Sequence, residues 1–386
     1  MRSSRVGVLT TSFPRWPGDF AGSFVEDAVR RLARTGVEID VVAAGDAGAP
    51  SPPASPLAGV RVHRIPLSRP PAGTPSLFYS SGAPEVLERG GPAAWLQAVE
   101  LWAGMCRAVT TLAPAWDRIE AHWLVPCGLA ARAAAPRLSL SIRAHSGDVA
   151  LLERLPGGRA LARYLVKPAG ARVPALGFVT RDLKERFGRL ADAEVGAVVP
   201  AGSLYDPTED VDAEAGGPPR PALARPARGG PATIRTVLSV GRLVPIKGYD
   251  VLVRAVAVAS AAADARSTAA SPARRPTLVI VGDGPERERL AALARRLEVD
   301  LRLPGFVPRD QVAVWLAGAD LYVQPSRRLA TGRTEGLPTA TLEALSAGLP
   351  VVATATGGLA ELPFQPPRLR LVPPDDPMAL AACLEL

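Results

Sequence analysis

The feature that most constrains the fold is a regular alternation of short apolar runs with amphipathic stretches, interrupted once near the middle of the chain. Arg5–Thr10 predicts a strand, and Ser23–Arg34 predicts a helix because its apolar residues recur every three or four positions on one face. Val37–Ala44 predicts the next strand, and the same alternation runs again from Arg235–Val240 to Val351–Thr354. Strands that alternate with helices imply parallel sheets covered by helices on both faces.

The interruption itself predicts a linker between two domains. Tyr205–Pro231 contains six prolines and four glycines among charged residues and alanines, a composition typical of a connecting segment. We therefore predict an α/β chain of three parts: a Rossmann-like domain at 1–204, a linker at 205–232 and a second Rossmann-like domain at 233–386. Two doubly wound parallel-sheet domains are expected to face each other across a cleft and to bind ligands at the carboxyl ends of their strands.

Charge and cysteine usage exclude several classes of protein. The net charge is +8, which leaves two interpretations open: compositional drift on the surface, or an anionic partner such as a nucleotide, a lipid headgroup or an acidic glycan. Nucleic acid is disfavoured because no basic run is interleaved with aromatic residues. The three cysteines lie far apart, which argues against a disulfide framework and favours a reducing cytoplasm. Neither a zinc pattern nor a membrane-spanning apolar run is present in the sequence.

The sequence SVGRLVPIKGYD at 239–250 predicts an anion site in the second domain. Arg242 and Lys247 lie between the end of a predicted strand and the start of a helix. Two cations beside free helix amides suit a diphosphate. Taken alone, the two residues are also compatible with solvent-exposed bases in a loop.

Two glutamates further along predict contacts with a sugar and a nucleoside. Glu335 lies in a predicted loop, and Glu343 lies on the helix that follows it. Pro338 suits a first helical position, which leaves the amides of Gly336–Ala340 free to face a ligand. Glu335 can then accept hydrogen bonds from sugar hydroxyls, and Glu343 can reach ribose hydroxyls. Two spaced glutamates in isolation are better explained as a helix-end carboxylate and a solvated one, and it is the intervening residues with Gly357, Gly358 and Glu361 that favour the binding role.

Three residues of the first domain are candidates for contacts with the transferred sugar or the acceptor. His145 follows the predicted strand that ends at Ala144, and Asp148 comes three residues later. Gly22 lies in the loop after the first strand, where the backbone can approach a ligand. His145 could equally cap the following helix, and for His122 we favour a role in the core or in support of the site.

These motifs resemble a known family. GRLVPIKG, GDGPERERL, EGLPTATLEALSAGLPVVAT and GGLAE, with AHWLVPCG and RAHSGDV in the first half, resemble the retaining glycosyltransferases of family 4, which have the GT-B fold. The resemblance implies that Arg242 and Lys247 bind the donor diphosphate and stabilise the leaving nucleotide. It also implies that Glu335 contacts the transferred sugar and Glu343 the ribose. The implied catalytic group is Glu335, His145, Arg242 and Lys247; the remaining implied donor contacts are Gly282, Gly336, Leu337, Pro338, Thr339 and Glu343.

The resemblance implies a function in glycan synthesis. We expect transfer of a hexose with retention from a nucleotide-sugar, such as a UDP- or GDP-hexose, to a lipid-linked or polysaccharide acceptor held by the first domain, with no metal and no other cofactor. An epimerase or phosphorylase of the same fold, or a non-catalytic sugar-nucleotide-binding subunit, remains open. Members of the family usually continue beyond the point that corresponds to Leu386, so we expect a shortened second domain.

The expected location is the cytoplasm, and one helix raises the question of membrane contact. Arg159, Arg163 and Lys167 recur at intervals of four on a predicted short helix. A basic amphipathic helix of this kind can rest on the anionic inner face of the cell membrane. The same pattern also describes an ordinary helix whose arginines lie in water, and the sequence leaves both open.

Overall fold

The computed structural model describes residues 4–16, 19, 21–46, 57–70, 76–79, 83, 86–87, 91–168, 173–199, 234–268, 275–361 and 368–384. The chain divides into two compact units, Met1–Pro200 and Ala201–Leu386. The linker predicted at 205–232 lies outside the described residues.

The first unit is built on a parallel sheet of seven strands. The order is β3-β2-β1-β4-β5-β6-β7, so the chain runs outwards from β1 in one direction and then crosses to β4 on its other side. Ligands of such sheets bind where the strand order reverses, here at the carboxyl ends of β1 and β4. The strands are Arg5–Leu9 (β1), Glu38–Ala44 (β2), Val60–Ile65 (β3), Arg118–His122 (β4), Ser139–Ala144 (β5), Ala175–Phe178 (β6) and Ala197–Val198 (β7).

Helices cover this sheet because each carries one apolar stripe. The helix predicted at Ser23–Arg34 has the same bounds in the structure; it buries Val25 and Val29 and leaves its charged residues towards solvent. The helices of the first unit are Ser23–Arg34 (α1), Gly91–Leu112 (α2), Leu129–Ala134 (α3), Ser146–Arg154 (α4), Gly158–Val166 (α5) and Arg181–Ala191 (α6).

The second unit repeats the architecture with six parallel strands in the order β10-β9-β8-β11-β12-β13. Its strand order therefore reverses between β8 and β11, and the carboxyl ends of these two strands are the expected ligand position. The strands are Thr236–Val240 (β8), Thr277–Val281 (β9), Leu301–Gly305 (β10), Leu321–Gln324 (β11), Val351–Thr354 (β12) and Leu369–Val372 (β13).

One helix of the second unit is buried along most of its length. Tyr249–Arg266 packs Leu252 and Val256 against the sheet, in a core shared with Leu278 and Ile280 of β9. The helices here are Tyr249–Arg266 (α7), Arg287–Arg296 (α8), Arg309–Gly318 (α9), Thr339–Ser346 (α10), Gly357–Ala360 (α11) and Pro377–Ala381 (α12). Pro338 caps α10 in an extended conformation, so our prediction that it occupies the first helical position was wrong by one residue.

The helix considered for membrane contact is α5. Its apolar face, with Ala162 and Leu165, is buried, while Arg159, Arg163 and Lys167 are exposed. Arg163 pairs with Asp192. The described geometry is that of a surface helix whose outward side carries these basic residues and Tyr164, which is 40% exposed. No helix among the described residues combines the length and the apolar character needed to cross a bilayer.

Candidate functional site

An ion pair lies at the carboxyl ends of β8 and β11 in the second unit. Lys247 Nζ is 2.7 Å from Glu335 Oε1, and the two side chains are only 13% and 16% exposed. Lys247 ends a short 3-10 turn, Pro245–Lys247, which closes on Gly248 in the left-handed conformation. A side chain at Gly248 would collide with the carbonyl oxygen of Pro325, so the turn needs glycine to bring the lysine inwards.

Buried polar side chains hold the other oxygen of Glu335. Gln324 Nε2 donates to Glu335 Oε2 at 3.1 Å, and Ser326 Oγ donates to the same oxygen. Gln324 and Ser326 are fully buried, and the hydroxyl of Tyr322 donates to Gln324 Oε1 at 3.0 Å. Sequence reasoning missed both residues, although polar residues at the end of a buried strand and just beyond it are a usable signal. The carboxylate is therefore fixed by one cation and two neutral donors.

Two glycines shape the loop that carries Glu335. A side chain at Gly357, whose φ is +53°, would collide with the carbonyl oxygen of Glu335. The amide of Gly358 donates to the carbonyl oxygen of Gly336 at 2.7 Å. The start of α11 therefore packs directly on the Glu335–Gly336 backbone and holds it in place.

The structure brings Arg242 and Gly282 close to this pair. The amide of Gly241 donates to the carbonyl oxygen of Val281 at 2.9 Å, and a side chain at Gly282 would collide with the carbonyl oxygen of Gly241. A Cβ at Gly241 would lie 3.0 Å from Lys247 Nζ. Arg242, half-buried and next to Gly241, thus belongs to the same corner of the unit as Lys247.

The helix α10 begins directly after the Glu335 loop. Gly336 is half-buried, Leu337 and Pro338 are buried, Thr339 is exposed, and Glu343 lies half-buried in the second turn. Burial raises the pKa of the Tyr322 hydroxyl well above its usual value, and the charges of Glu335 and Glu343 act in the same direction. Both effects favour the neutral hydroxyl, which can then donate to Gln324.

In the first unit, His145 lies in a cluster of rings at the carboxyl ends of β4 and β5. Its ring centroid is 4.5 Å from that of Trp123 and 5.0 Å from that of Phe24. His145 Nε2 is 3.4 Å from His122 Nδ1, and the two rings are within 14° of parallel with centroids 5.6 Å apart. The distance between the two centroids is about the sum of the N···N distance and the radii of the two rings. The two imidazoles therefore meet edge to edge through these nitrogens, which is the arrangement that a hydrogen bond requires.

The two histidines are both neutral at pH 7. Burial lowers the pKa of His122 to about 3 and that of His145 well below its usual value, and the charge of Arg143 acts in the same direction on both. One imidazole must then donate its N–H to the bare nitrogen of the other. The sequence analysis favoured a role for His122 in the core or in support of the site; its side chain is buried and contacts His145.

Asp148 is buried in the first turn of α4, three residues after His145. Its carboxyl group accepts hydrogen bonds from the amides of Leu124 at 2.8 Å, Val149 at 3.1 Å and His145 at 3.3 Å. Burial raises the pKa of Asp148 to about 7 and outweighs these hydrogen bonds, which lower it. His145 is the residue that caps α4, and Gly22 caps α1 with a φ of +76°.

The pKa of Asp148 predicts how stability depends on pH. The folded chain holds this proton more tightly than an unfolded aspartic acid, whose pKa is about 3.9. The free energy of unfolding should therefore fall as the pH rises from about 4 to about 7, by at most about 4 kcal/mol for this group. Asp148→Asn removes this titration. The difference in the free energy of unfolding between the variant and the wild type, measured with urea, should therefore change between pH 4.5 and pH 8. A difference that stays constant with pH would rule out a raised pKa.

A family model described as glycosyl transferases group 1 matches residues 234–386. The two parallel-sheet α/β units are those of the GT-B fold. Residues 234–386, which carry Lys247 and Glu335, form a glycosyl transferases group 1 domain.

Three known proteins show what the chain is similar to. WcaL of Escherichia coli, named a colanic acid biosynthesis glycosyltransferase, is 34% identical over 165 residues, which are 42% of this chain and 37% of WcaL. The chain thus spans only about a third of that relative's length. A D-inositol 3-phosphate glycosyltransferase of Catenulispora acidiphila is 29% identical over 93% of this chain and 80% of its own. HepE of Anabaena, solved with UDP and glucose, has a TM-score of 0.61 and 19% identity, and the match covers 99% of this chain and 89% of HepE.

Among the described residues, no group of three or more histidine, cysteine, aspartate and glutamate side chains is placed to hold a metal ion.

Proposed function

We propose that this protein transfers a hexose with retention from a nucleotide-sugar, such as a UDP- or GDP-hexose, to a lipid-linked or polysaccharide acceptor without a metal ion. The observation that carries the proposal is the Lys247–Glu335 pair, held by buried side chains at the carboxyl ends of β8 and β11 inside a group 1 domain. The UDP and glucose in the HepE structure support the donor class. The name of WcaL supports an acceptor in glycan synthesis.

The hydrogen bonds of the pair leave room for a donor. An ammonium group has three N–H donors, so Lys247 can keep its bond to Glu335 and still donate to a phosphate oxygen. A carboxylate has about four acceptor positions, and Glu335 uses three of them on Lys247, Gln324 and Ser326. The remaining position suits a hydroxyl of the transferred sugar.

The positive charges of Lys247 and Arg242 act on the leaving group. When the bond from the sugar to the diphosphate breaks, negative charge develops on the departing phosphate oxygen. Lys247 and Arg242 stabilise that charge, and so do the amides at the start of α10. In the proposed mechanism, fixed cations and helix amides supply what a divalent metal supplies elsewhere. Gly282 lets the backbone approach the phosphates, and Glu343 binds the ribose.

The first unit is proposed to bind the acceptor and to contact the transferred sugar. His145 and Asp148 lie at the carboxyl ends of its strands, and Gly22 starts the first helix. We place the protein in the cytoplasm. Peripheral contact with the inner face of the cell membrane gives it access to a lipid-linked acceptor. The fixed neutral state of His145 suits a hydrogen bond to a sugar hydroxyl.

Two other functions make different predictions. An epimerase of the same fold would convert the nucleotide-sugar into its epimer without any acceptor, and a phosphorylase would require inorganic phosphate and release a sugar phosphate from a glycan. A non-catalytic binding subunit would bind the nucleotide-sugar and never turn it over. The geometry favours the transferase, because a binding subunit has no need for a carboxylate fixed by three donors beside a lysine.

The test is a panel of nucleoside diphosphates and nucleotide-sugars, measured by thermal unfolding and calorimetry in EDTA. The true donor should raise the free energy of unfolding by about 2.7 kcal/mol at a hundred times its dissociation constant. Glu343→Gln should weaken binding of the free nucleoside diphosphate by about tenfold, because a charge-assisted hydrogen bond to ribose is lost. Glu288→Gln, at an exposed position of α8, is the control. If no nucleotide binds, or if binding requires magnesium, the proposal is wrong.

A further inference from the structure

Trp123, the residue that follows β4, has a backbone conformation that tryptophan rarely adopts. Its φ is +85° and its ψ is 132°, and a positive φ costs free energy for a bulky residue. The Trp123 amide donates to the carbonyl oxygen of Arg143 at 2.8 Å, and the Trp123 carbonyl oxygen accepts from the amide of Gly128 at 3.0 Å. The next amide, that of Leu124, donates to the Asp148 carboxylate at 2.8 Å. These hydrogen bonds hold the strained conformation in place at the carboxyl end of the strand.

The indole N–H of the same residue is unsatisfied. Trp123 is half-buried, and its Nε1 is shielded from solvent without an acceptor among the described residues. A buried indole N–H usually has an acceptor, because leaving it unpaired costs free energy. Trp116 of the same unit shows the usual arrangement, since its Nε1 donates to Asp40 Oδ2 at 2.8 Å. Strain and an unpaired donor at one residue are both explained if the fold keeps Trp123 ready for a ligand.

The rings around Trp123 suit a sugar. Its ring centroid lies 4.5 Å from that of His145 and 6.4 Å from that of Phe24, and burial keeps His145 neutral. A pyranose has apolar C–H faces that pack on aromatic rings, and hydroxyl groups at its edge that need hydrogen-bond partners. Uncharged rings with one unpaired donor match that combination better than they match a phosphate, which favours a cationic partner.

The position of Trp123 is also that of a ligand contact. β4 lies beside β1, where the strand order of the first sheet reverses. Ligands of such sheets bind outside the carboxyl ends of the strands at this point. The strained residue with the unpaired donor therefore lies where the fold itself predicts a ligand.

We propose that the indole N–H of Trp123 donates a hydrogen bond to a hydroxyl oxygen of a pyranose bound at the carboxyl end of β4. The inference rests on the proposed function and deepens it, because it names a residue of the first unit that recognises a sugar hydroxyl. The pyranose is that of the nucleotide-sugar or that of the acceptor glycan, and the experiment separates these two sources. A sugar without this hydroxyl leaves the N–H unpaired, so Trp123 is a specificity-determining residue.

Proton–nitrogen NMR of the full chain with isotopically labelled tryptophan observes this N–H directly. The chain has six tryptophans, and Trp123→Phe and Trp116→Phe assign the two indole signals that matter. UDP-glucose and GDP-mannose probe the donor, UDP and GDP are their sugar-free controls, and methyl glucosides and methyl mannosides probe the acceptor. A sugar-bearing probe should move the Trp123 indole proton downfield, as a new hydrogen bond does. UDP and GDP alone should leave it in place, and the Trp116 signal should stay unchanged.

Calorimetry measures what the hydrogen bond contributes. Trp123→Phe keeps an aromatic ring and removes the N–H, so it should bind the responding probe about three- to tenfold more weakly, the usual weight of one neutral hydrogen bond. It should bind UDP and GDP as the wild type does. Deoxy forms of the probe identify the hydroxyl. Loss of the contacted hydroxyl should weaken binding to the wild type by the same factor and should not weaken binding to Trp123→Phe further.

Urea unfolding without ligand separates a binding role from a structural one. Trp123→Phe removes a donor that has no partner, whereas Trp116→Phe takes a hydrogen bond from the buried carboxylate of Asp40. Trp123→Phe should therefore lower the free energy of unfolding much less than Trp116→Phe does.

The proposal is overturned if no sugar-bearing probe moves the Trp123 signal, or if UDP or GDP alone moves it as far. It is also overturned if Trp123→Phe binds the responding probe as tightly as the wild type, or destabilises the chain as much as Trp116→Phe. The proposed function fails in a different way. If no nucleotide of the panel binds while a methyl glycoside moves the Trp123 signal, the transferase is contradicted and the Trp123 contact stands.

Discussion

Lys247→Ala is expected to lower kcat by about a hundredfold to a thousandfold, the usual effect of removing one preorganised charge contact from a transition state. Lys247 is the cation that the structure fixes beside Glu335 at the switch point of the second sheet. Its loss removes the positive charge that stabilises the negative charge on the departing phosphate. It also leaves the largely buried carboxylate of Glu335 without its lysine partner. Donor affinity should also fall, because in the proposed complex the ammonium group contacts the diphosphate before the bond breaks.

Steady-state kinetics with the donor found by the binding panel measures this effect. Lys167→Ala is the matched control, since this lysine side chain is exposed and lies in the first unit. Surface substitutions of that kind usually change stability by no more than about 0.5 kcal/mol. If Lys247→Ala turns over at the wild-type rate, the assignment of the leaving-group site is wrong.

Glu335→Gln is expected to lower kcat by a similar factor while leaving donor affinity nearly unchanged. An amide offers one oxygen where the carboxylate offers two. In the variant, Lys247 and the two neutral donors, Gln324 and Ser326, compete for a single acceptor oxygen. The loss should appear in kcat because the sugar needs Glu335 most when charge separates at its reacting carbon.

The double variant Lys247→Ala/Glu335→Gln separates a joint role from two independent ones. Because the two side chains are in contact, their effects on the activation free energy should not add. We expect the double variant to be little slower than the worse single variant. Strict additivity, or a Glu335→Gln variant that loses donor affinity and keeps kcat, would contradict the role given to this pair.

Much of the fold was predictable because its signals are local. Ser23–Arg34 and Val351–Thr354 have the same bounds in the structure as in the prediction, and each is defined by the pattern within its own segment. β3 was not predicted because Val60–Ile65 carries three basic residues among its apolar ones. Two of these basic residues pair with Asp40 of β2, whose Oδ1 lies 3.0 Å from His63 Nε2 and 3.2 Å from Arg61 Nε.

The candidate site could also be predicted only in part, because its geometry depends on contacts between distant segments. Arg242 and Lys247 were predicted from their positions between a strand and a helix. Glu335 and Glu343 were predicted from a loop and its following helix together with the family resemblance. The mutual geometry of these residues depends on the crossover between β8 and β11. Gln324 and Ser326 were missed, since nothing in the local pattern says that a glutamate from a later loop will reach them. Sequence therefore predicted which residues carry charge at the strand ends, and the fold determines which of them meet.

The central claim is that the chain transfers a sugar with retention and without metal, and the most direct test is to follow the anomeric configuration of the product. The panel's donor is incubated with the protein in EDTA, with a glycan acceptor or with water, and the released sugar is followed by proton NMR before it equilibrates. We expect product with the configuration of the donor, at a rate that Glu335→Gln reduces at least a hundredfold. Product of inverted configuration, or turnover that appears only when magnesium is added, would contradict the account.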